Sequence, residues 1–297
     1  MATMSRIKIK RITFFDIVVY ALLTFTGIIT FFPFYHVVVT SFVSFSEYLS
    51  KDFVLFPSRF VLTSYEFIFT TPTFLRSLRV TAISTAGGTL ISMVVTMLYA
   101  YPLSKGKLKF IRFFSWFIII PMMFSGGLIP YYFIVRDIKI INTVWALILP
   151  GCISTFNIIL MKNFFQSLPE SLEESAKLDG ANDLTILFRI VFPLSMPIIA
   201  TIGLFYAVGY WNDYMRAVLF ISKSELYPLQ NLLRQILIDN SLETLQEGMS
   251  YFSARAYETS YTIKMAIIVV ATVPILCIYP FLQKYYVRGI MLGAVKS

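Results

Sequence analysis

Charged side chains are too few in this chain to coat a water-soluble globule. Only 14% of its 297 residues are Asp, Glu, Lys or Arg, where a soluble domain carries about 25%. Hydrophobic residues reach 57% and aromatics 17%, so lipid must serve as solvent for most of the outside. Histidine is nearly absent, with His36 the single copy. One imidazole without carboxylate partners cannot build a metal site, and at the end of an apolar run it reads as a helix-end hydrogen-bonding residue. The two cysteines, Cys152 and Cys277, lie in apolar runs at a spacing that forms no zinc or redox motif. They read as small buried hydrophobes.

Two further absences bear on function. No G-x-x-x-x-G-K-[ST] pattern occurs, so the chain does not hydrolyse ATP by itself. The central parts of the second to sixth apolar runs hold no Asp, Glu, Lys, Arg or His. Charged groups inside a span usually mark proton or ion pathways. Their lack argues against a proton-coupled carrier and against acid–base catalysis at membrane depth. The energy source then lies outside this chain, and the chain is not itself an enzyme.

What is present is a series of apolar runs long enough to cross a bilayer, which needs roughly 20 residues per helix. They cover residues 17–40, 80–102, 113–135, 142–164, 190–211 and 265–282. The fold expected is all-α and integral to the membrane, one domain over 1–297 with six spans. The net charge of +9 is accounted for by Lys and Arg at cytoplasmic helix ends, and no aromatic platform supports a nucleic-acid partner. Basic residues gather without acids before residue 16, at Lys105, Lys107, Lys109 and Arg112, and in the tail at Lys284, Arg288 and Lys296. This distribution places both termini and the 166–189 segment in the cytoplasm, with segments 41–79 and 213–264 outside. Gly and Pro interrupt the spans repeatedly, as at Pro121, Gly126, Gly127, Pro150, Gly151, Pro193 and Pro197. Irregular backbone at membrane depth is tolerated where it packs in protein or lines a cavity.

The 166–189 segment is the most informative. Ser167 stands three residues before Glu170, a capping-box spacing, and Pro169 suits a first turn. A helix over 168–179 is expected, about 18 Å long, with Gly180 as its left-handed terminator. Leu168, Leu172 and Ala176 form one apolar stripe, and Glu170, Glu173, Glu174 and Lys177 cover the rest. Geometry alone allows either a docking element for another protein or an ordinary linker between two spans.

The residues Glu174-Ser175-Ala176, Gly180, Ile190, Phe192 and Pro193 resemble the E-A-A-x3-G-x9-I-x-L-P motif. That motif marks the membrane subunits of ATP-binding-cassette (ABC) importers. Ser175 replaces the first alanine and Phe192 the leucine. The tail Val287-Arg288-Gly289 with Gly293-Ala294-Val295-Lys296 resembles permeases of maltose-type carbohydrate importers. The match runs over nearly the whole chain from the second span onward. Residues 124–130 and 142–147 are most similar to permeases for oligosaccharides, in the neighbourhood of alginate and uronide importers.

The resemblance implies a type I importer permease whose coupling helix docks on an ATPase, through Glu173, Glu174, Ala176, Leu178, Asp179 and Gly180. It implies a second homologous permease subunit as a heterodimer, two cytoplasmic ATPase subunits that hold ATP and Mg, an extracytoplasmic solute-binding protein and an oligosaccharide substrate. The site would be the cytoplasmic (inner) membrane of a bacterium, and no cofactor is expected in this chain. Sugar-contact candidates are Tyr131, Asn157, Tyr210, Trp211, Asn212 and Asp213, with Tyr132 beside them. An interfacial aromatic belt or a helix-packing amide is the other reading of each. Within 213–264, Asn240, Glu243, Tyr251 and Tyr257 are the expected binding-protein contacts. A secondary transporter, a channel or a membrane scaffold without transport are the competing classes.

Overall fold

In the computed structural model of the chain, residues 13–51, 53–106, 108–238 and 260–294 are described, with side chains to residue 278. All regular elements among them are helical. They fall into two compact units, one of Met1–Phe67 with Ala254–Val269, the other of Ile68–Ser253 with Val270–Ser297.

The first unit is dominated by α1 (Phe14–Ser41), 28 residues long. At 1.5 Å per residue it is about 42 Å in length, enough to cross a hydrocarbon core of about 30 Å. Its large apolar side chains, Phe14, Leu22, Phe25 and Phe31 among them, are exposed, which is the surface lipid would cover. Only its last residues, Val39 to Ser41, are buried. There Val39, Val43 and Val54 pack together with Tyr35 and Tyr48. His36 stacks on the Phe53 ring at 5.0 Å, an aromatic contact in place of the helix-end hydrogen bond expected of it. A short helix, α2 (Phe45–Ser50), is capped by Ser44 Oγ, which accepts the Glu47 N–H at 3.3 Å. The Glu47 carboxylate in turn accepts from Lys51 Nζ at 2.7 Å and from Ser58 N at 2.9 Å. Led by the Lys51 hydrogen bond, these contacts hold its pKa down at about 2.

The second unit is organised around α4 (Pro72–Lys105), which follows α3 (Thr63–Thr70) in the chain and begins two turns before the expected start at residue 80. Pro72 opens it, a position where proline's fixed φ favours the helix and its missing N–H costs nothing. Arg76 and Arg79, expected in a loop, are therefore on its first turns. Small residues line one buried face of α4: Ser77, Thr81, Ser84, Gly88, Ser92 and Thr96. Such stripes let helices approach closely in lipid. Thr96 Oγ1 and Tyr206 OH hydrogen-bond at 2.7 Å, and Ser92 Oγ and Tyr210 OH at 3.1 Å. The main apolar core forms around this helix, from Met93, Met97 and Tyr101 to Ile158, Met161, Phe165, Ile198 and Ile202.

Three expected spans are broken. The run at 113–135 is two helices, α5 (Ile111–Met123) and α6 (Leu128–Asp137), parted at residues 124–127 where Gly127 takes φ +83°. The run at 142–164 is α7 (Val144–Ile148), a tight turn Leu149–Gly151 and α8 (Thr155–Gln166), bent by 52°. The run at 190–211 bends by 88°. It is entered through two short helices, α10 (Asp183–Ile186) and α11 (Phe192–Leu194), and its straight part, α12 (Met196–Trp211), starts only after Ser195. Pro193 and Pro197, four apart, each lack an N–H and crowd the carbonyl one turn back.

The segment expected as a polar outer loop from 213 to 264 is also helical in its described half. It forms α13 (Met215–Phe220) and α14 (Leu229–Ile238). Leu229, Leu232, Leu233 and Ile236 are buried, the i, i+3, i+4, i+7 stripe of a packed amphipathic helix. The last helix, α15 (Ser260–Ala294), is continuous over 35 residues and contains the run expected at 265–282. Among the described residues three helices are long and apolar enough to cross a membrane, or up to five crossings if each of the two bent pairs counts as one.

Candidate coupling helix and candidate substrate pocket

The helix α9 covers Glu170–Leu178. It starts later than expected, because Leu168 precedes Pro169 and residues before proline avoid the α region. Pro169 becomes the N-cap, with ψ 127° and no side-chain cap. The expected capping box is not formed: Ser167 Oγ donates instead to Phe164 O at 2.7 Å and closes α8.

The other end is as the sequence indicates. Gly180 has φ +81°. Its N–H donates to Lys177 O at 3.0 Å and that of Ala181 to Ala176 O at 2.9 Å. These two bonds make a Schellman termination. Nothing lies within 4 Å of a Cβ built at Gly180, so the requirement for glycine there is conformational rather than steric.

The faces of α9 differ from the expected pattern at two residues: Leu172, expected on the apolar stripe, is 41% exposed, and one acid turns inward. Glu173 is only 9% exposed and lies inward with Ala176. Its carboxylate pairs with Lys105 Nζ, and Tyr101 OH donates to its other oxygen at 3.5 Å. Lys105 and Tyr101 both belong to the end of α4, so Glu173 fastens α9 to that helix. Glu170, Glu174 and Asp179 face outward, and Leu178 is 90% exposed. An apolar side chain thus stands among acids on the outer face, beside the helix terminus that Gly180 fixes. At the helix exit Lys177 pairs with Asp183 at 2.9 Å, and that hydrogen bond pushes the Lys177 pKa up.

A second concentration of polar groups lies where the two bent runs meet. A cavity of about 390 Å³ is lined by Gly151, Ser154, Phe156, Asn157, Phe205, Tyr206, Gly209, Tyr210 and Arg216. Of the sugar-contact candidates, Asn157 and Tyr210 line it. Tyr210 is largely spent on packing, since its OH also donates to Ile148 O at 2.9 Å. The remaining candidates are not among its lining residues and make other contacts. Tyr131 OH donates to Pro150 O at 3.3 Å, and its ring packs on Phe220 at 5.2 Å. The Tyr132 ring also stacks on Phe220, at 6.3 Å. Trp211 Nε1 donates to Ala271 O at 3.0 Å. Asn212 is exposed and donates to Val208 O at 3.1 Å. Asp213 accepts the Met215 N–H at 3.1 Å and pairs with Arg216. Asn240, Glu243, Tyr251 and Tyr257 lie outside the described residues.

Arg216, inside the segment expected outside at 213–264, is the charged lining residue that the sequence did not single out. Its side chain is 15% exposed. Nη1 donates to Leu147 O at 2.8 Å, and the guanidinium sits over the Tyr210 ring at 4.6 Å. It lies so close to Gly151 that a Cβ there would overlap it. The spacing Asp213-x-x-Arg216, next to the aromatic pair Tyr210-Trp211, was the available signal.

Comparison with known proteins agrees with this architecture. Residues 49–292 match the family described as "Binding-protein-dependent transport system inner membrane component". The chain is 47% identical over 283 residues to the polygalacturonan/rhamnogalacturonan transport system permease protein YtcP of Bacillus subtilis (strain 168), covering 95% of this chain and 98% of that one. It is 44% identical over 295 residues to the protein LplC of the same organism, covering 99% and 98%. A chain in the crystal structure of a bacterial ABC transporter involved in the import of the acidic polysaccharide alginate superposes with a TM-score of 0.86 at 29% identity, covering 96% of this chain and all of that one.

Proposed function

Because the chain belongs to the family of binding-protein-dependent transport system inner membrane components, we propose that it is one of two permease subunits of an ATP-driven importer. Its cargo is an oligosaccharide rich in uronate residues. A second, homologous permease completes the pathway, two ATPase subunits dock on the cytoplasmic side, and an extracytoplasmic binding protein delivers the sugar. The transport systems named for two relatives handle polygalacturonan or alginate, both polymers of sugar acids, and this supports the cargo class.

The observation that carries the reading is α9. It is terminated by Gly180, fastened to α4 through Glu173 and Lys105, and presents Leu178 and Glu174 outward. ATP-driven closure of the docked ATPases would move α9, and its attachment passes that motion to α4, the helix around which the core forms. This is a two-state equilibrium biased by nucleotide on one side and by the loaded binding protein on the other. Both termini are cytoplasmic and the chain crosses six times, the two bent pairs and the α5–α6 pair each making one crossing. Residues 240–257 contact the binding protein.

Isolation of the complex and assay of its ATPase activity tests the reading. An oligogalacturonide together with the binding protein stimulates the activity. Co-purification without an ATPase subunit would reject it.

A further inference from the structure

We infer that the cavity beside Arg216 is a specificity subsite that seats one uronate residue of the translocated chain, with the sugar carboxylate on the Arg216 guanidinium. The inference rests on the reading of the chain as an oligosaccharide permease and adds where the acid is recognised.

The cavity has room and lining for a sugar ring. Its volume of about 390 Å³ falls within the roughly 300–1,000 Å³ of small-molecule sites. Phe156, Phe205 and Tyr206 offer faces for the C–H surface of a pyranose, and Ser154 and Asn157 offer hydrogen-bonding groups for its hydroxyls. It opens at helix breaks, with Gly151 and Ser154 flanking the bend between α7 and α8. Those features would accept any sugar.

Arg216 distinguishes acids from neutral sugars. It is the charged group among the described lining residues. Nη1 is engaged by Leu147 O, Nε faces Asp213, and the guanidinium also meets the Tyr210 hydroxyl, three partners for a group with five N–H donors. A guanidinium presents five donors in a plane and suits a second carboxylate. Asp213 does not have to leave when that carboxylate arrives. Its Oδ1 is held by the N–H groups of Met215 and Arg216 at 3.1 and 3.4 Å.

The pairing also explains how a charged cargo is released. A pathway must bind well enough to admit its cargo and weakly enough to let it go. An unpaired buried guanidinium would hold a uronate tightly. One already half neutralised by Asp213 gives the acid an advantage over a neutral sugar and still lets it leave. Gly151 permits the arrangement, since a side chain there would push the guanidinium off Leu147 O.

The test uses the intact complex in proteoliposomes with its binding protein, and two probes of equal length, trigalacturonate and its methyl ester. The binding protein is the same in every arm, so a change in the acid-to-ester transport ratio belongs to the permease. The unmodified complex prefers the acid, and Arg216→Gln lowers the ratio about tenfold, the scale of a lost charge-assisted contact. Asp213→Asn raises acid affinity and slows acid release. An unmodified complex that does not prefer the acid, or an unchanged ratio in Arg216→Gln, overturns the proposal. If Arg216→Gln fails to assemble, Asp213→Asn decides: an unchanged KM for the acid overturns it. An unmodified complex that moves neither probe overturns the oligosaccharide reading, and the proposal with it.

Discussion

The carboxylate of Glu173 and the ammonium of Lys105 form an ion pair that ties a nine-residue surface helix to the end of a 34-residue central one. The pair is half shielded, with side-chain exposures of 12% and 22%. Removal of one partner leaves the other poorly solvated, which costs about 1–3 kcal/mol. Glu173→Gln and Lys105→Met should each reduce ATPase stimulation more than they reduce complex yield. The double variant should lose less than the sum of the two, as interacting partners do. Additive losses in the cycle would show that the contact transmits nothing.

Substitution at Gly180 acts through backbone strain alone, since the space around it is open. An L-residue at φ +81° costs about 1–2 kcal/mol. Gly180→Val should weaken coupling to the ATPase without affecting membrane insertion, and Gly180→Asn should be milder because asparagine tolerates this region. Equal transport by the Val variant and the unmodified complex would contradict the assignment of the helix terminus as a functional element.

The outward face of α9 should carry partner affinity. Glu174→Lys reverses an exposed charge and Leu178→Asp removes the apolar knob, which is 90% exposed. Both should lower the amount of ATPase subunit that co-purifies, and neither should lower the amount of permease in the membrane. Full retention of the ATPase by both variants would make this helix a plain linker.

The Glu47 network yields a pH dependence of fixed sign. Hydrogen bonds from Lys51 and Ser58 hold its pKa down at about 2, against 4.5 for the free group. The folded segment therefore prefers the ionised form. Its extra stability is complete above pH 4.5 and declines as pH falls toward about 2. Hydrogen exchange at the Ser58 amide, corrected for the intrinsic rate, should show protection at pH 6 that is lost across that window. In Glu47→Gln the protection should be weak at every pH.

Much of this architecture is legible in the sequence, and the illegible parts share one cause. Hydropathy counts apolar residues and says nothing of direction. The run ending at Trp211 reads as a single span although Pro193 and Pro197 flank a near right-angle bend. Gly180 was readable because a left-handed terminator has a local residue signature. Glu173 and Glu174 are adjacent acids, and only the partner Lys105, distant in sequence, decides which one turns inward. Arg216 resembles any loop charge until the fold brings Leu147 and Gly151 beneath it. Leu229, Leu232, Leu233 and Ile236 do carry a helical period, but their polar neighbours masked it.

ATP-dependent accumulation of trigalacturonate in proteoliposomes tests the central claim most directly. The complex is reconstituted with its ATPase subunits, and the binding protein is added on the extracytoplasmic side. Uptake above the equilibrium level should require both ATP at the ATPase face and the binding protein, and should fall away in Glu174→Lys. Uptake that reaches only equilibrium, at the same rate without ATP, would mean a channel or an uncoupled carrier and would contradict the account.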